Sequence, residues 1–263
     1  MQWKGKLIGG VLGAIAGLGP IGAALGVMLG HQFDQQTDDD ADGTAGADPQ
    51  LISAVFFRST FAVMGYVAKA DGRVSDSEIQ AARGVMRHLR LSPDQVQAAI
   101  RFFTEGKQPG FELERTVREL GQVCGRRHHL LRYFLEIQMR AALQGSNLQG
   151  PARTIIHRAG QWLGISMLEL AHLEAMLRVQ SGERPEVAGH SGMRIAAAYQ
   201  VLEVEASATD EEVVKAYRRQ MSRNHPDKLV ANGLPESMME IAKEKTQRIR
   251  EAYEVIRERR AMK

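Results

Sequence analysis

Apolar and polar positions are spread unevenly along the 263-residue chain. From Leu7 to Gly30, 24 residues pass without one charged side chain. As a helix this run reaches roughly 36 Å at about 1.5 Å per residue, against a bilayer core of about 30 Å. A single segment in lipid must pair its own backbone amides, so the run predicts a transmembrane helix kinked at Pro20. A cleaved signal peptide fits less well: its apolar region is about 7–15 residues and ends at a small-residue site, and none precedes the acidic stretch. Residues 34–50, DQQTDDDADGTAGADPQ, carry no large apolar side chain and predict a solvated spacer.

Beyond the spacer the period changes to that of soluble helices. Val85, Met86 and Leu89, then Val96, Ala99, Ile100 and Phe103, then Leu131, Phe134, Leu135 and Met139 recur at three and four. Ser75 with Glu78, and Ser92 with Pro93 and Gln95, carry the signature of helix starts with capping boxes. Strand-type alternation is absent, so residues 51–180 predict an all-α bundle. A second polar linker, 181–192, reads SGERPEVAGHSG. Residues 193–263 then hold two amphipathic helices that can pack as an antiparallel hairpin, with Val213, Ala216, Tyr217 and Met221 facing Ile249, Ala252, Tyr253 and Ile256. Pro226 ends the first of these helices and places His225 and Asp227 at the hairpin tip. A long loop, Leu229 to Ser237, is expected between tip and second helix. The whole chain is therefore expected to be all-α, with a membrane anchor over 1–33, a spacer over 34–50 and two helical modules.

Within the anchor, Gly9, Gly13 and Gly17 repeat every four residues, as do Gly22, Gly26 and Gly30. That spacing puts small residues on one helix face and lets two backbones approach, which predicts a homodimer through the membrane helix. Gly17 to Gly22 also matches G-x-G-x-x-G. A dinucleotide fingerprint needs a strand before it and a βαβ unit around it, and neither is here, so no cofactor is expected.

Average composition hides these differences: 34 Lys+Arg against 31 Asp+Glu, 44% hydrophobic and 25% charged. Residues 1–50 carry 2 basic and 6 acidic side chains, residues 51–190 carry 18 and 13, and residues 191–263 carry 14 and 12. The pI of about 9.1 therefore describes no single part and does not support nucleic-acid binding. The lone Cys124 excludes an intramolecular disulfide and fits a buried apolar site. The histidines have no zinc spacing, and Arg126-Arg127-His128-His129 reads as a solvated basic helix face.

Two stretches carry the chemistry. Ala70-Asp71-Gly72-Arg73-Val74-Ser75-Asp76-Ser77-Glu78 resembles the A-D-G-x-[VI]-x-x-x-E element of TerB-like (tellurite-resistance) helical domains. An echo follows at Leu143 to Leu148, and Leu163-Gly164-Ile165-Ser166 parallels Leu89-Arg90-Leu91-Ser92, as in a duplicated unit. Some such domains bind a divalent metal, for which Asp71 and Glu78 are the candidates here. The echo has Gln144 in place of the Asp, and two carboxylates are few for a hard cation, so turn and cap roles are expected and no metal.

The second stretch opens with Tyr199-Gln200-Val201-Leu202-Glu203-Val204. It continues through Lys215-Ala216-Tyr217-Arg218-Arg219 to His225-Pro226-Asp227, then a helix with Ile249, Ala252 and Tyr253. It resembles the J domain of DnaJ-type co-chaperones. The resemblance implies that the tip and the basic residues Lys215, Arg218, Arg219, Arg223 and Lys228 dock on a DnaK-type chaperone and accelerate its ATP hydrolysis. The chain itself would then be no enzyme. DnaJ's Gly/Phe-rich stretch, zinc repeat and β-rich client region are missing. A glycine-rich anchor, a TerB-like middle and a C-terminal J domain together resemble the DjlA family of membrane-anchored DnaJ-like proteins of Gram-negative bacteria. That resemblance implies an inner-membrane protein linked to envelope-stress and capsule (colanic acid) signalling. A different reading is a membrane-anchored stress-sensing scaffold acting mainly through the TerB-like region.

Charge and resemblance disagree on orientation. Lys4 and Lys6 precede the apolar run and no Lys or Arg follows it before Arg58, which taken alone puts the N-terminus in the cytoplasm. A DnaK-type partner and its ATP are cytoplasmic, which puts only the short N-terminus in the periplasm. The second orientation is the expected one, because two lysines on so short a terminus are a small bias.

Overall fold

The computed structural model describes residues 47–180 and 190–262. The predicted membrane helix, its six glycines and nearly all of the acidic spacer lie outside the described residues. Among the described residues every regular element is a helix, as the apolar period requires. The first module holds α1 (Pro49–Ala68), α2 (Asp76–His88), α3 (Pro93–Gly106), α4 (Leu113–Cys124), α5 (His128–Ser146), α6 (Gly150–Trp162) and α7 (Met167–Gln180). The second holds α8 (His190–Leu202), α9 (Asp210–Asn224), α10 (Pro226–Ala231), a 3₁₀ turn (Glu236–Met238) and α11 (Met239–Arg260). Helix α8 starts inside the stretch expected to be linker.

Helix α1 is the axis of the first module. It is long and apolar enough to cross a membrane by length and composition, but it is mostly buried by its neighbours. Ile52, Phe56, Phe61, Ala62 and Val63 are fully buried, and the Phe56 ring meets Phe134 of α5 edge-on at 6.3 Å. Helix α3 crosses α1 closely because Gly65 and Gly106 lack a Cβ. A methyl on Gly65 would overlap the carbonyl of Phe103, and one on Gly106 would overlap that of Ala62.

Local signals set the element boundaries. The capping boxes of Ser75 with Glu78 and of Ser92 with Gln95 are both formed, each satisfying two backbone N–H groups at the start of a helix. Helices α2 and α6 end in the same way. The Leu91 N–H donates to the Met86 carbonyl and Arg90 to Arg87; Ile165 donates to Gly160 and Gly164 to Gln161. Both are Schellman endings, with Arg90 (φ 49) and Gly164 (φ 74) at the left-handed position. A serine then starts the next helix in each case, Ser92 accepting from Gln95 N–H and Ser166 from Glu169 N–H. The two segments noted as parallel in sequence thus share one backbone geometry.

In the second module α9 and α11 run antiparallel, with Arg260 at the end of α11 reaching Asp210 at the start of α9 at 3.1 Å. Arg260 also donates to the Ala208 carbonyl and the Tyr199 hydroxyl, each at 2.6 Å. The expected facing residues meet: Val213, Ile249, Ala252 and Ile256 are buried together with Ala198 and Leu202 of α8, and Tyr217 stacks on Tyr253 at 4.3 Å.

The expected long loop after the tip is partly helical. Pro226 ends α9 and also opens α10, its fixed φ suiting the first helical position. Leu229, Leu234 and Met238 are buried, and Gly233 (φ 98) lies so close to α1 that a Cβ would sit 2.6 Å from the Ile52 Cβ. Packing against the first module orders this segment, and chain-local pattern does not report such a contact.

Candidate functional site

Helix α9 has two unlike faces, and the site follows from that division. Its start is fixed by Thr209, whose hydroxyl accepts from Glu212 N–H while the Glu212 carboxylate accepts from Thr209 N–H at 2.7 Å. Those hydrogen bonds hold the Glu212 carboxyl below the usual carboxylate range. Val213, Ala216, Gln220 and Asn224 form the buried face. Lys215, Arg218, Arg219 and Arg223 occupy the opposite, exposed face, and Lys228 is exposed on α10. None of these five cations is paired with a carboxylate among the described residues.

At the end of α9 the chain turns through His225, which is extended (φ −61, ψ 127) and serves as C-cap of α9 and N-cap of α10. A residue before proline is pushed out of the helical region, so the turn is dictated by Pro226. The His225 and Asp227 side chains are 54% and 87% exposed, and Nδ1 of one lies 3.9 Å from Oδ2 of the other. Both polar groups therefore face solvent with free hydrogen-bonding capacity. The sequence-predicted tip and basic residues are thus brought to one continuous surface.

Comparison with known proteins decides what this arrangement belongs to. Residues 197–262 match a family profile described as DnaJ domain, residues 58–175 match tellurite resistance protein TerB, and residues 1–46 match the co-chaperone DjlA transmembrane domain. A co-chaperone protein DjlA of Coxiella burnetii is 44% identical, with 100% of each chain covered. The chain belongs to the DjlA family. The relative named co-chaperone protein DjlA from Photobacterium profundum is 39% identical over 98% of this chain and 99% of its own. That from Legionella pneumophila is 34% identical over 97% and 94%. No solved structure matches the chain. As a member of the DjlA family the chain is a membrane-anchored co-chaperone whose J domain serves a DnaK-type partner, regulating rather than catalysing.

In this DjlA-family chain the J domain is fastened to the TerB-like domain, a feature the sequence did not announce. Tyr133 of α5, fully buried, donates to Oδ1 of Asn224 at 3.3 Å, and Asn224 Nδ2 donates to the Gln220 carbonyl at 2.8 Å. The residue just before His225 is therefore held by the other domain. Next to it, Lys245 of α11 lies 3.1 Å from the buried Glu136 carboxylate and 4.5 Å from the Tyr133 ring centre. Arg140 joins Glu136 (3.2 Å) to Glu244 (3.5 Å), and Arg132 pairs with Glu203 at 2.9 Å. Burial alone would raise the Glu136 carboxyl; the charges of Lys245 and Arg140 outweigh it and hold the group below its ordinary range. Docking uses the faces of α9 and α11 turned away from the basic surface, so the tip stays exposed.

The remaining candidates resolve locally. Asp71 accepts from Arg73 N–H at 3.2 Å in a turn with Gly72 (φ 96), and Glu78 accepts from Ser75 N–H at 2.8 Å. Turn and cap are thus the roles these two carboxylates fill, and among the described residues no group of three His, Cys, Asp or Glu could hold a metal. Cys124 is fully buried, and burial pushes its thiol up to about 12, which removes it as a nucleophile.

Proposed function

We propose that this chain recruits a DnaK-type chaperone to the inner membrane and stimulates its ATP hydrolysis through His225-Pro226-Asp227. The observation carrying the proposal is the exposed His225/Asp227 pair at the end of an unpaired basic face formed by Lys215, Arg218, Arg219, Arg223 and Lys228. Exposed cations held in no close ion pair on one face steer an acidic partner and set its register. The rigid turn at Pro226 presents the two polar side chains without an ordering cost at the moment of contact. Anchoring then confines the stimulated chaperone to the membrane surface. In this reading the described residues are cytoplasmic, the short N-terminus is periplasmic, and Gly9, Gly13, Gly17, Gly22, Gly26 and Gly30 pair two anchors. A role in envelope-stress and capsule signalling rests on family resemblance.

The test is single-turnover ATP hydrolysis by the chaperone with the full chain in nanodiscs. Stimulation is expected from the natural chain and none from His225→Gln. Equal stimulation by both would remove the tip from the mechanism.

A further inference from the structure

Arg126-Arg127-His128-His129, read from sequence as a solvated helix face, lies at a particular place in the fold. The α4–α5 corner is a tight turn through Gly125 (φ 54), closed by Arg127 N–H on the Cys124 carbonyl and His128 N–H on the Arg126 carbonyl. His129 stands one turn before Tyr133 on α5 and so shares its face. Tyr133 is bonded to Asn224, the residue between Arg223 and His225. The domain clamp therefore sets the corner beside the J-domain tip.

Charge at the corner agrees with this placement. The His129 imidazole is pushed down to about 4, first by burial and then by Lys228, Arg127, His128 and Arg223, two of which come from the J domain. Its Nε2 is buried without a hydrogen-bond partner. Arg126 and His128 are exposed, and neither they nor Arg127 pair with a carboxylate among the described residues. Elsewhere on the same domain Arg58, Arg115, Arg118 and Arg153 are each neutralised by a glutamate within 2.9 Å, while Arg101 on α3 is, like the corner, in no ion pair among the described residues. What sets the corner apart is the nearness of Lys228 and Arg223 from the second domain. Crowding cations from two domains without counter-charges is unfavourable alone and becomes favourable when an acidic surface covers them.

We infer that Arg126, Arg127 and His128 extend the chaperone-docking surface from the J domain onto the TerB-like domain, so that one acidic face of the DnaK-type partner contacts both. The inference rests on the co-chaperone reading above. The clamp through Tyr133–Asn224 and Glu136–Lys245 is what keeps the two parts of the surface in register.

The test uses the full chain in nanodiscs and measures both the chaperone concentration for half-maximal ATPase stimulation and the maximal rate. Arg126→Glu/His128→Glu is the informative variant, since both side chains are exposed and acidic residues are favourable at the start of a helix. It should raise the half-saturating concentration roughly threefold to tenfold at low salt, leave the maximal rate unchanged, and lose most of this effect at high salt. Arg101→Glu, an exposed cation on α3, should change neither quantity. Natural half-saturation in Arg126→Glu/His128→Glu, with stimulation abolished by Asp227→Asn, would overturn the extension and leave the co-chaperone reading standing. Undiminished stimulation by Asp227→Asn would overturn the reading beneath it. An effect seen in anionic nanodiscs and absent from zwitterionic ones would assign the corner to lipid headgroups and likewise overturn the extension.

Discussion

Glu136 shows how much one side chain carries in this fold. Its carboxylate is 5% exposed and lies between Lys245 of the J domain and Arg140 of its own helix. Breaking a buried ion pair by removing one partner typically costs about 3–5 kcal/mol, because the other charge is left uncompensated. Lys245 and Arg140 keep some contact with water, which lowers the penalty, so Glu136→Gln should cost somewhat less than that range, about 2–3 kcal/mol, read from the urea midpoint at neutral pH. The pH dependence has a definite sign. The native carboxyl titrates below the ordinary value of 4.5, so its contribution is present above that value and is lost as pH falls through the native one. The gap between natural chain and variant should therefore narrow on acidification below about pH 4.5; a gap that widens would show that Glu136 is not held as an anion.

At the scale of elements, sequence and structure agree best where the interaction is local. Ser75, Ser92 and Thr209 each stand three residues before a Glu or Gln, and all three capping boxes form. The facing residues of α9 and α11 were legible from helical period, and the turn at His225 from Pro226. The close crossing of α1 and α3 was not, since Gly65 and Gly106 lie 41 positions apart and carry no pattern of their own. Gly65→Ala should destabilise the bundle by about 1–3 kcal/mol, because the methyl group meets the Phe103 carbonyl and the helices must separate. A thermal midpoint equal to that of the natural chain would contradict the crossing.

Viewed as a whole, the molecule is a membrane-anchored co-chaperone in which two helical domains share a charged interface and one J-domain tip remains open. The tip was readable because His225-Pro226-Asp227 sits in a contiguous motif. Tyr133–Asn224, Glu136–Lys245 and Arg132–Glu203 were not, because each joins residues 71 to 109 positions apart and polar interface residues follow no period. For the same reason Arg126 to His129 reads as an ordinary surface until the fold sets it beside Arg223. The most direct measurement is flotation of a DnaK-type chaperone, in the presence of ATP, with proteoliposomes carrying the full chain with its J domain outward. The chaperone should float with the natural chain and fall to the level of protein-free liposomes with Asp227→Asn. Equal flotation with both would contradict recruitment through the tip.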